Sequence, residues 1–227
     1  MKKVSVVIPS GGRGSRMGAN KSKQFLLLKG KAILQITLEK FLQIEEVTEL
    51  IVLSSREDMD ETKRIINSIE TDKLIRLTIG GDSRQDSVFN GLKLLSSSCD
   101  IVLVHDGARP LIEKNEIRSC IKSVEDKGSG VIGVPVKDTI KVVDSDGIVS
   151  NTPKRDTLWI TQTPQGFFPQ DLISAYEKAR EEGFIGTDDS SLIERYGGKV
   201  FMVMGSYENI KLTTPEDLII AERIMER

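Results

Sequence analysis

Residues 4–25, VSVVIPSGGRGSRMGANKSKQF, constrain this chain more than any other stretch. They open with a largely apolar run, Val4 to Ile8, of the length of a buried strand. Gly11, Gly12, Gly14 and Gly18 follow, with Arg13, Arg16, Lys21 and Lys23 between and after them. Such a segment presents free backbone N–H groups and several cations just past a strand's carboxyl end, which is the physical description of a polyphosphate cradle. It matches neither common phosphate motif. The Lys-Ser/Thr pair of a P-loop is missing, and Met17 interrupts the dinucleotide pattern that Gly12 and Gly14 would begin. On spacing alone, an ordinary glycine-rich turn stands beside the phosphate reading.

The rest of the chain alternates short apolar runs with amphipathic stretches. Ile33, Leu34, Leu38, Phe41 and Leu42 recur at helical spacing, and Leu50–Leu53 is a second strand. Ser55 and Asp58 resemble a capping box before a helix with Met59, Ile65, Ile66 and Ile69 inward. Leu74–Ile79 is a third strand, ended by Gly80-Gly81. Asp82 is expected to cap the next helix with Gln85 reciprocating, and Val88, Leu92 and Leu95 form its apolar face. Ile101–Val104 is continuously apolar, as in a sheet covered on both sides. The helix of Ile117, Ile121 and Val124 ends at Gly128, and Gly130–Val136 reads as a central strand. Parallel α/β architecture follows from this order.

The rhythm changes at Thr139–Val143, whose continuation through Asp144-Ser145-Asp146-Gly147 to Ile148–Ser150 predicts a β-hairpin. Its arms alternate poorly and are half apolar, which predicts a partner surface and dimerisation. Leu158–Thr161 returns to the sheet, Thr163-Pro164-Gln165-Gly166 reads as a turn, and Pro169 opens a helix with Leu172, Ile173 and Tyr176 inward. Thr187 or Asp188 caps a short helix with Leu192 and Ile193, Val200–Val203 is a late strand, and Thr214-Pro215-Glu216-Asp217 starts a last helix packed through Leu218, Ile219 and Ile224.

Composition narrows the function classes. A formal net charge of -2 with 5 % aromatic residues argues against a nucleic-acid groove and its stacking platform, so no nucleic-acid partner is expected. No apolar run reaches spanning length, and Met1-Lys2-Lys3 leads straight into a strand, so neither membrane partner nor signal peptide is expected and the location is read as cytoplasmic. Cys99 and Cys120 read as two reduced cysteines. His105 is the single histidine, which excludes mechanisms that need two, and it is given a structural hydrogen-bonding role.

Ligands of open α/β sheets bind beyond the carboxyl ends of the strands. Residues 9–23, 80–87, 105–110 and 205–211 fall there. The first loop brings positive charge. Asp82, Arg84 and Ser87 in the second are suited to a sugar or base, and the third brings Asp106 and Arg109. A carboxylate beside a polyphosphate commonly acts through Mg²⁺; a helix cap or an ion pair with Arg109 are the structural alternatives for Asp106. Chemistry without an evident base favours a nucleophile that is already ionised. A phosphate monoester is largely a dianion at pH 7, and its in-line attack on the α-phosphorus of a nucleoside triphosphate needs only positioning and charge neutralisation. Arg16, Lys23 and Lys211 suit that task, although composition does not separate nucleotidyl transfer from a kinase or a glycosyltransferase.

Over nearly the full length, PSGGRGSRM with KQF, GGDSRQDSV, VHDGARP, PVKDT, TQTPQGF, TDDSS and ENIKLTTPEDL resemble the 2-C-methyl-D-erythritol 4-phosphate cytidylyltransferases of the non-mevalonate isoprenoid pathway. The resemblance implies one Rossmann-like nucleotidyltransferase domain over residues 1–227, with a mostly parallel central sheet and a protruding β-hairpin arm at about 137–156 that dimerises and binds substrate. It implies CTP as co-substrate with Mg²⁺, which Asp106 would approach at most indirectly. Arg16 and Lys23 match the residues that stabilise charge at the α-phosphate, and Ser10, Gly11 and Gly12 the backbone cradle of CTP. Gly81, Asp82 and Ser87 match cytosine- and ribose-recognising positions. Asp106 and Lys211 match residues that hold the substrates, Arg109 a supporting residue, and Thr139 and Arg155 arm residues that reach the methylerythritol phosphate across a homodimer. The sequence departs from the family in PSGG, in Lys21-Ser22-Lys23, which lacks a proline before Lys23, and at Gly107, expected to loosen the backbone beside Asp106. Ribitol 5-phosphate cytidylyltransferase is the nearest alternative, and HDGARP and GTDDSSLIE favour the methylerythritol enzyme over it.

Overall fold

The computed structural model describes residues 2–11 and 22–227. Gly12 and Arg16 therefore lie outside the described residues. Seven strands form one mixed sheet in the order β11-β7-β10-β6-β1-β4-β5. Its inner strands are β1 (Val4–Pro9), β4 (Val47–Ser54), β6 (Ile101–Val104), β7 (Ser129–Pro135) and β10 (Trp159–Phe167), and its edges are β5 (Leu74–Ile79) and β11 (Met202–Met204). Two-residue strands β2 (Leu27–Leu28) and β3 (Lys31–Ala32) form a separate hairpin. Only β10 runs antiparallel to its neighbours β6 and β7, so the sheet is mostly parallel, as expected.

Period-two alternation on the central strands builds two cores. Val4, Val6, Ile8, Leu50, Val52, Ile101 and Leu103 face helices α1 (Ile33–Leu42) and α4 (Lys114–Lys127). Val7, Ile51, Leu53, Val102 and Val104 face α3 (Arg84–Leu92) and α5 (Pro169–Glu181). Three further helices, α2 (Met59–Asn67), α6 (Asp189–Arg195) and α7 (Pro215–Ile224), complete the domain. Gly128 in the left-handed region ends α4, and the capping box of Thr214 and Asp217 starts α7, both as the sequence predicts.

Several local expectations are corrected. Thr163-Pro164-Gln165-Gly166 is not a turn but part of β10, with a register shift between Thr161 and Gln165. A polar segment is tolerated there because its buried groups are bonded. Thr163 pairs with His105, Gln162 donates to the Ser206 carbonyl, and Gln165 donates to Asp188. Asp82 does not cap α3: Ser83 does, accepting from the Asp86 N–H at 3.0 Å, because the extended backbone lies at Ser83. Ser55 accepts from the Asp58 N–H, but that turn precedes α2, which begins at Met59. Ile219 is 65 % exposed, and Ala221, three residues on from Leu218, takes the inward position. The late strand begins at Met202, where pairing with β7 starts, and β7 itself lies one strand in from the edge. The hairpin arm pairs only through β8 (Val142–Val143) and β9 (Val149–Asn151).

Among the described residues, no helix is long and apolar enough to cross a membrane.

Candidate active site

The chain runs from β1 outward to β4 and β5, then returns to place β6 on the other side of β1. The described residues that follow β1, β4, β5 and β6 line a crevice at the strands' carboxyl ends. Its volume is about 740 Å³. Ser10, Gly11, Lys23, Gly81, Asp82, Ser87, Asp106 and Lys211 line it, so the structure brings together most of the residues expected from sequence. A wall that sequence reading missed, Ser54-Ser55-Arg56-Glu57, also lines it. It follows β4, and the rule that selected the other loops applies to it equally.

Each lining residue has a local reason for its place. Ser10 is buried, and both its hydroxyl and its backbone N–H donate to the Leu53 carbonyl at 2.8 Å, which fixes the end of β1 at the crevice. Lys23 begins a single 3-10 turn, Lys23–Phe25. Asp58 holds both neighbours of Lys23, accepting from Ser22 Oγ at 2.7 Å and from Gln24 Nε2 at 3.2 Å. The Gly81 N–H donates to Ser87 Oγ at 2.9 Å, and a Cβ on Gly81 would lie 2.3 Å from Asp86 Cβ, so the backbone passes over α3 as only glycine permits. Gly107 does not use a left-handed conformation. A Cβ there would sit 3.1 Å from Ser10 Cβ, so its effect is close packing of the β1 and β6 loops and not the added freedom expected.

Asp106 is the electrostatic centre. Its carboxylate lies 3.3 Å from Arg84 Nε, 3.4 Å from Arg109 Nε and 3.0 Å from Lys211 Nζ. Burial alone would raise its pKa, but Arg84, Lys211 and Arg109 outweigh burial and hold it well below the usual carboxylate range. The ion pair with Arg109 is present, and it is one of three. Arg109 also donates to the Asn209 carbonyl at 2.9 Å, joining the loop that carries Lys211. Arg84 is held by Asp189 from the far side, a partner that sequence reading did not identify.

His105 is fully buried. Its Nε2 faces the Arg109 carbonyl at 3.1 Å, so that nitrogen carries the proton. Its Nδ1 faces the Thr163 hydroxyl at 3.1 Å, which itself accepts the Asp106 N–H. Burial lowers the His105 pKa to about 4. A neutral structural role is the one expected.

Thr139 and Arg155 do not line the crevice of their own chain. Both are exposed, and Arg155 Nη1 donates to the Lys137 carbonyl at 3.0 Å within the arm. The exposed apolar side chains of the arm include Val143 at 52 % and Ile148 at 64 %.

No group of three or more His, Cys, Asp or Glu side chains among the described residues is placed to hold a metal ion. Both Asp106 oxygens face cations. This donor set does not form a carboxylate cage for a metal ion.

A family model described as 2-C-methyl-D-erythritol 4-phosphate cytidylyltransferase (IspD) matches residues 4–227. The protein of that description from Clostridioides difficile (strain 630) is 48 % identical over 221 residues, covering 97 % of this chain and 93 % of the relative. Its counterpart from Caldanaerobacter subterraneus subsp. tengcongensis is 44 % identical over 225 residues, covering 99 % of each. A crystal structure of 4-diphosphocytidyl-2C-methyl-D-erythritol synthase from Anaerococcus prevotii DSM 20548 superposes with a TM-score of 0.88 at 34 % identity, covering 100 % of this chain and 99 % of that one.

Proposed function

The chain belongs to the 2-C-methyl-D-erythritol 4-phosphate cytidylyltransferase family, and from this premise we propose how its crevice carries out the reaction. The enzyme transfers the cytidylyl group of CTP to 2-C-methyl-D-erythritol 4-phosphate, giving 4-diphosphocytidyl-2-C-methyl-D-erythritol and pyrophosphate. The ribitol 5-phosphate alternative finds no support in the family match or in the relatives named above.

One observation carries the residue roles: Ser10, Gly11 and Lys23 line the same crevice as the Asp106–Lys211 pair. Gly11 and Gly12 are read as backbone donors to the CTP phosphates beside Ser10, whose own N–H is taken by the Leu53 carbonyl, while Gly81, Asp82 and Ser87 receive cytosine and ribose. Arg16 and Lys23 neutralise the charge that builds on the α-phosphate. Lys211, placed by Asp106 and Arg109, meets the incoming methylerythritol phosphate. That dianion attacks the α-phosphorus, a new P–O bond forms, and the bond to the pyrophosphate leaving group breaks in line. No protein base is needed. A Mg²⁺ entering with CTP would add to the charge neutralisation that Arg16, Lys23 and Lys211 provide.

The exposed apolar arm at about 137–156 supports a homodimer in which Thr139 and Arg155 reach the partner's crevice. The enzyme is read as cytoplasmic because CTP is a cytoplasmic nucleotide, with neither nucleic acid nor membrane as a partner.

Pyrophosphate release tests the assignment, with CTP and Mg²⁺ present and methylerythritol 4-phosphate compared against ribitol 5-phosphate. Rapid release with the first alone is expected. Release with the second alone would move the enzyme to cell-wall polymer synthesis.

A further inference from the structure

Asp189 belongs to the run Thr187-Asp188-Asp189-Ser190-Ser191, and its neighbour Asp188 already serves as the cap of α6. Asp189 does something else. Its carboxylate is fully buried and receives the two terminal nitrogens of Arg84 as a fork, Nη1 to Oδ1 at 3.1 Å and Nη2 to Oδ2 at 2.8 Å. Tyr176 Oη donates to the same Oδ1 at 2.5 Å, and the Tyr176 ring stacks on Phe89 with centroids 6.0 Å apart. The fork thus joins α3, α5 and α6.

The consequence falls on Asp106. A guanidinium prefers to meet a carboxylate through two parallel N–H bonds. Asp189 takes the terminal Nη1–Nη2 edge of Arg84, which fixes the guanidinium so that Asp106 meets it side-on, through Nε at 3.3 Å on Oδ1. Asp106 Oδ2 is then left to Arg109 at 3.4 Å and Lys211 at 3.0 Å. Were the Arg84 fork released, it would compete for both Asp106 oxygens and turn the carboxylate away from Lys211. A buried ion pair is weak evidence for stability, because well-packed apolar residues often hold helices together as firmly. Direction is what an apolar pair would not supply.

We propose that Asp189, backed by Tyr176, is a positioning residue for catalysis: by occupying the fork of Arg84 it aims the Asp106 carboxylate and thereby places Lys211 for the incoming phosphate. This rests on the reading of Asp106 and Lys211 as the residues that handle methylerythritol 4-phosphate.

Steady-state kinetics on the full chain, with CTP affinity measured separately by calorimetry, tests it. Asp189→Asn should lower kcat about 10- to 100-fold, the cost of displacing a reacting group by about an ångström. It should also raise KM for methylerythritol 4-phosphate while CTP affinity stays near wild type. Tyr176→Phe, which keeps the stacked ring, should shift the same parameters less. In an Arg84→Lys background, where no fork exists, adding Asp189→Asn should change activity by no more than about twofold, because both substitutions remove one interaction. A purely structural Asp189 would lower kcat only with the folded fraction and leave both KM values unchanged; that pattern overturns the proposal. If Asp189→Asn does not fold, Tyr176→Phe decides by the same KM split. Lys211→Ala is the control. If it leaves KM for methylerythritol 4-phosphate unchanged, the underlying reading falls with the proposal. If it shifts that KM while folded Asp189 and Tyr176 variants do not, the proposal alone falls.

Discussion

Lys211 Nζ rests 3.0 Å from the Asp106 carboxylate, which also faces Arg84 and Arg109. One buried anion thus keeps three cations together at the mouth of the crevice. Removing the Lys211 ammonium should lower kcat/KM for methylerythritol 4-phosphate about 100-fold, the order of loss for one preorganised charge-stabilising donor, with CTP affinity near wild type. Asp106→Asn should act differently. It leaves the cations facing one another without their anion, and a break of this kind costs about 3 kcal/mol of stability. Urea melts compare the two variants, and only Asp106→Asn should lower the midpoint substantially.

Asp58 accepts hydrogen bonds from the residues on either side of Lys23, Ser22 and Gln24. Asp58→Ala should therefore loosen Lys23 and lower kcat about tenfold or more, since positioning errors near an ångström carry losses up to about a hundredfold. KM for methylerythritol 4-phosphate should hold, because Asp58 lies on the Lys23 side of the crevice. Steady-state kinetics varying each substrate in turn checks the split.

Arg16→Ala should cut turnover by about two orders of magnitude or more, because its proposed contact strengthens as charge builds in the transition state. Its thermal midpoint should match wild type. Unchanged turnover in a folded variant would reject the role.

The single histidine makes one limb of the pH–stability curve assignable. Burial lowers the His105 pKa from 6.5 to about 4 in the folded state. Between those values the unfolded chain binds the proton and the folded chain does not, so stability falls as pH falls through this window. The loss is about 3 kcal/mol. The Asp106 contribution has the opposite protonation logic for its charge but the same direction: ionised in the folded state well below its ordinary value of 3.8, it is lost only at more acid pH. Thermal melts at pH 7 and pH 4.5 should show a smaller difference for His105→Gln, whose amide can still donate to the Arg109 carbonyl, than for wild type.

The fold and the crevice were legible where the signal was local. The apolar runs Val4–Ile8 and Ile101–Val104 located two neighbouring central strands, and the HDGARP loop placed Asp106 and Arg109 beyond the second. Local patterns failed where a tertiary partner chose between neighbours. Asp82 and Ser83 are both good caps, and the backbone turn at Gly81 selected Ser83. Thr163-Pro164-Gln165 has the composition of a turn, but His105, Asp188 and Ser190 satisfy Thr163 and Gln165 inside the sheet. Asp189 reads as one more acid near a helix start, and nothing in its neighbours announces Arg84, far away in sequence. The Ser54–Glu57 wall was available in principle, because it follows β4 at the same end of the sheet as the loops already chosen.

The arm offers the sharpest test of assembly. Thr139 and Arg155 are exposed and outside their own crevice, while Lys23 lines it. If Arg155 serves the partner's crevice, a dimer of one Arg155→Ala chain and one Lys23→Ala chain contains two different sites. One crevice has Lys23→Ala and receives the arm with Arg155→Ala, and the other has native Lys23 and receives native Arg155. Each homodimer should be nearly inactive, and the mixture should regain activity through the second kind of site. If Arg155 instead serves its own crevice, every site in the mixed dimer carries one lesion and no activity returns. Sedimentation establishes that the mixed species forms, and pyrophosphate release at saturating CTP reads the outcome. A strictly monomeric enzyme with full activity would remove the cross-subunit role of the arm altogether.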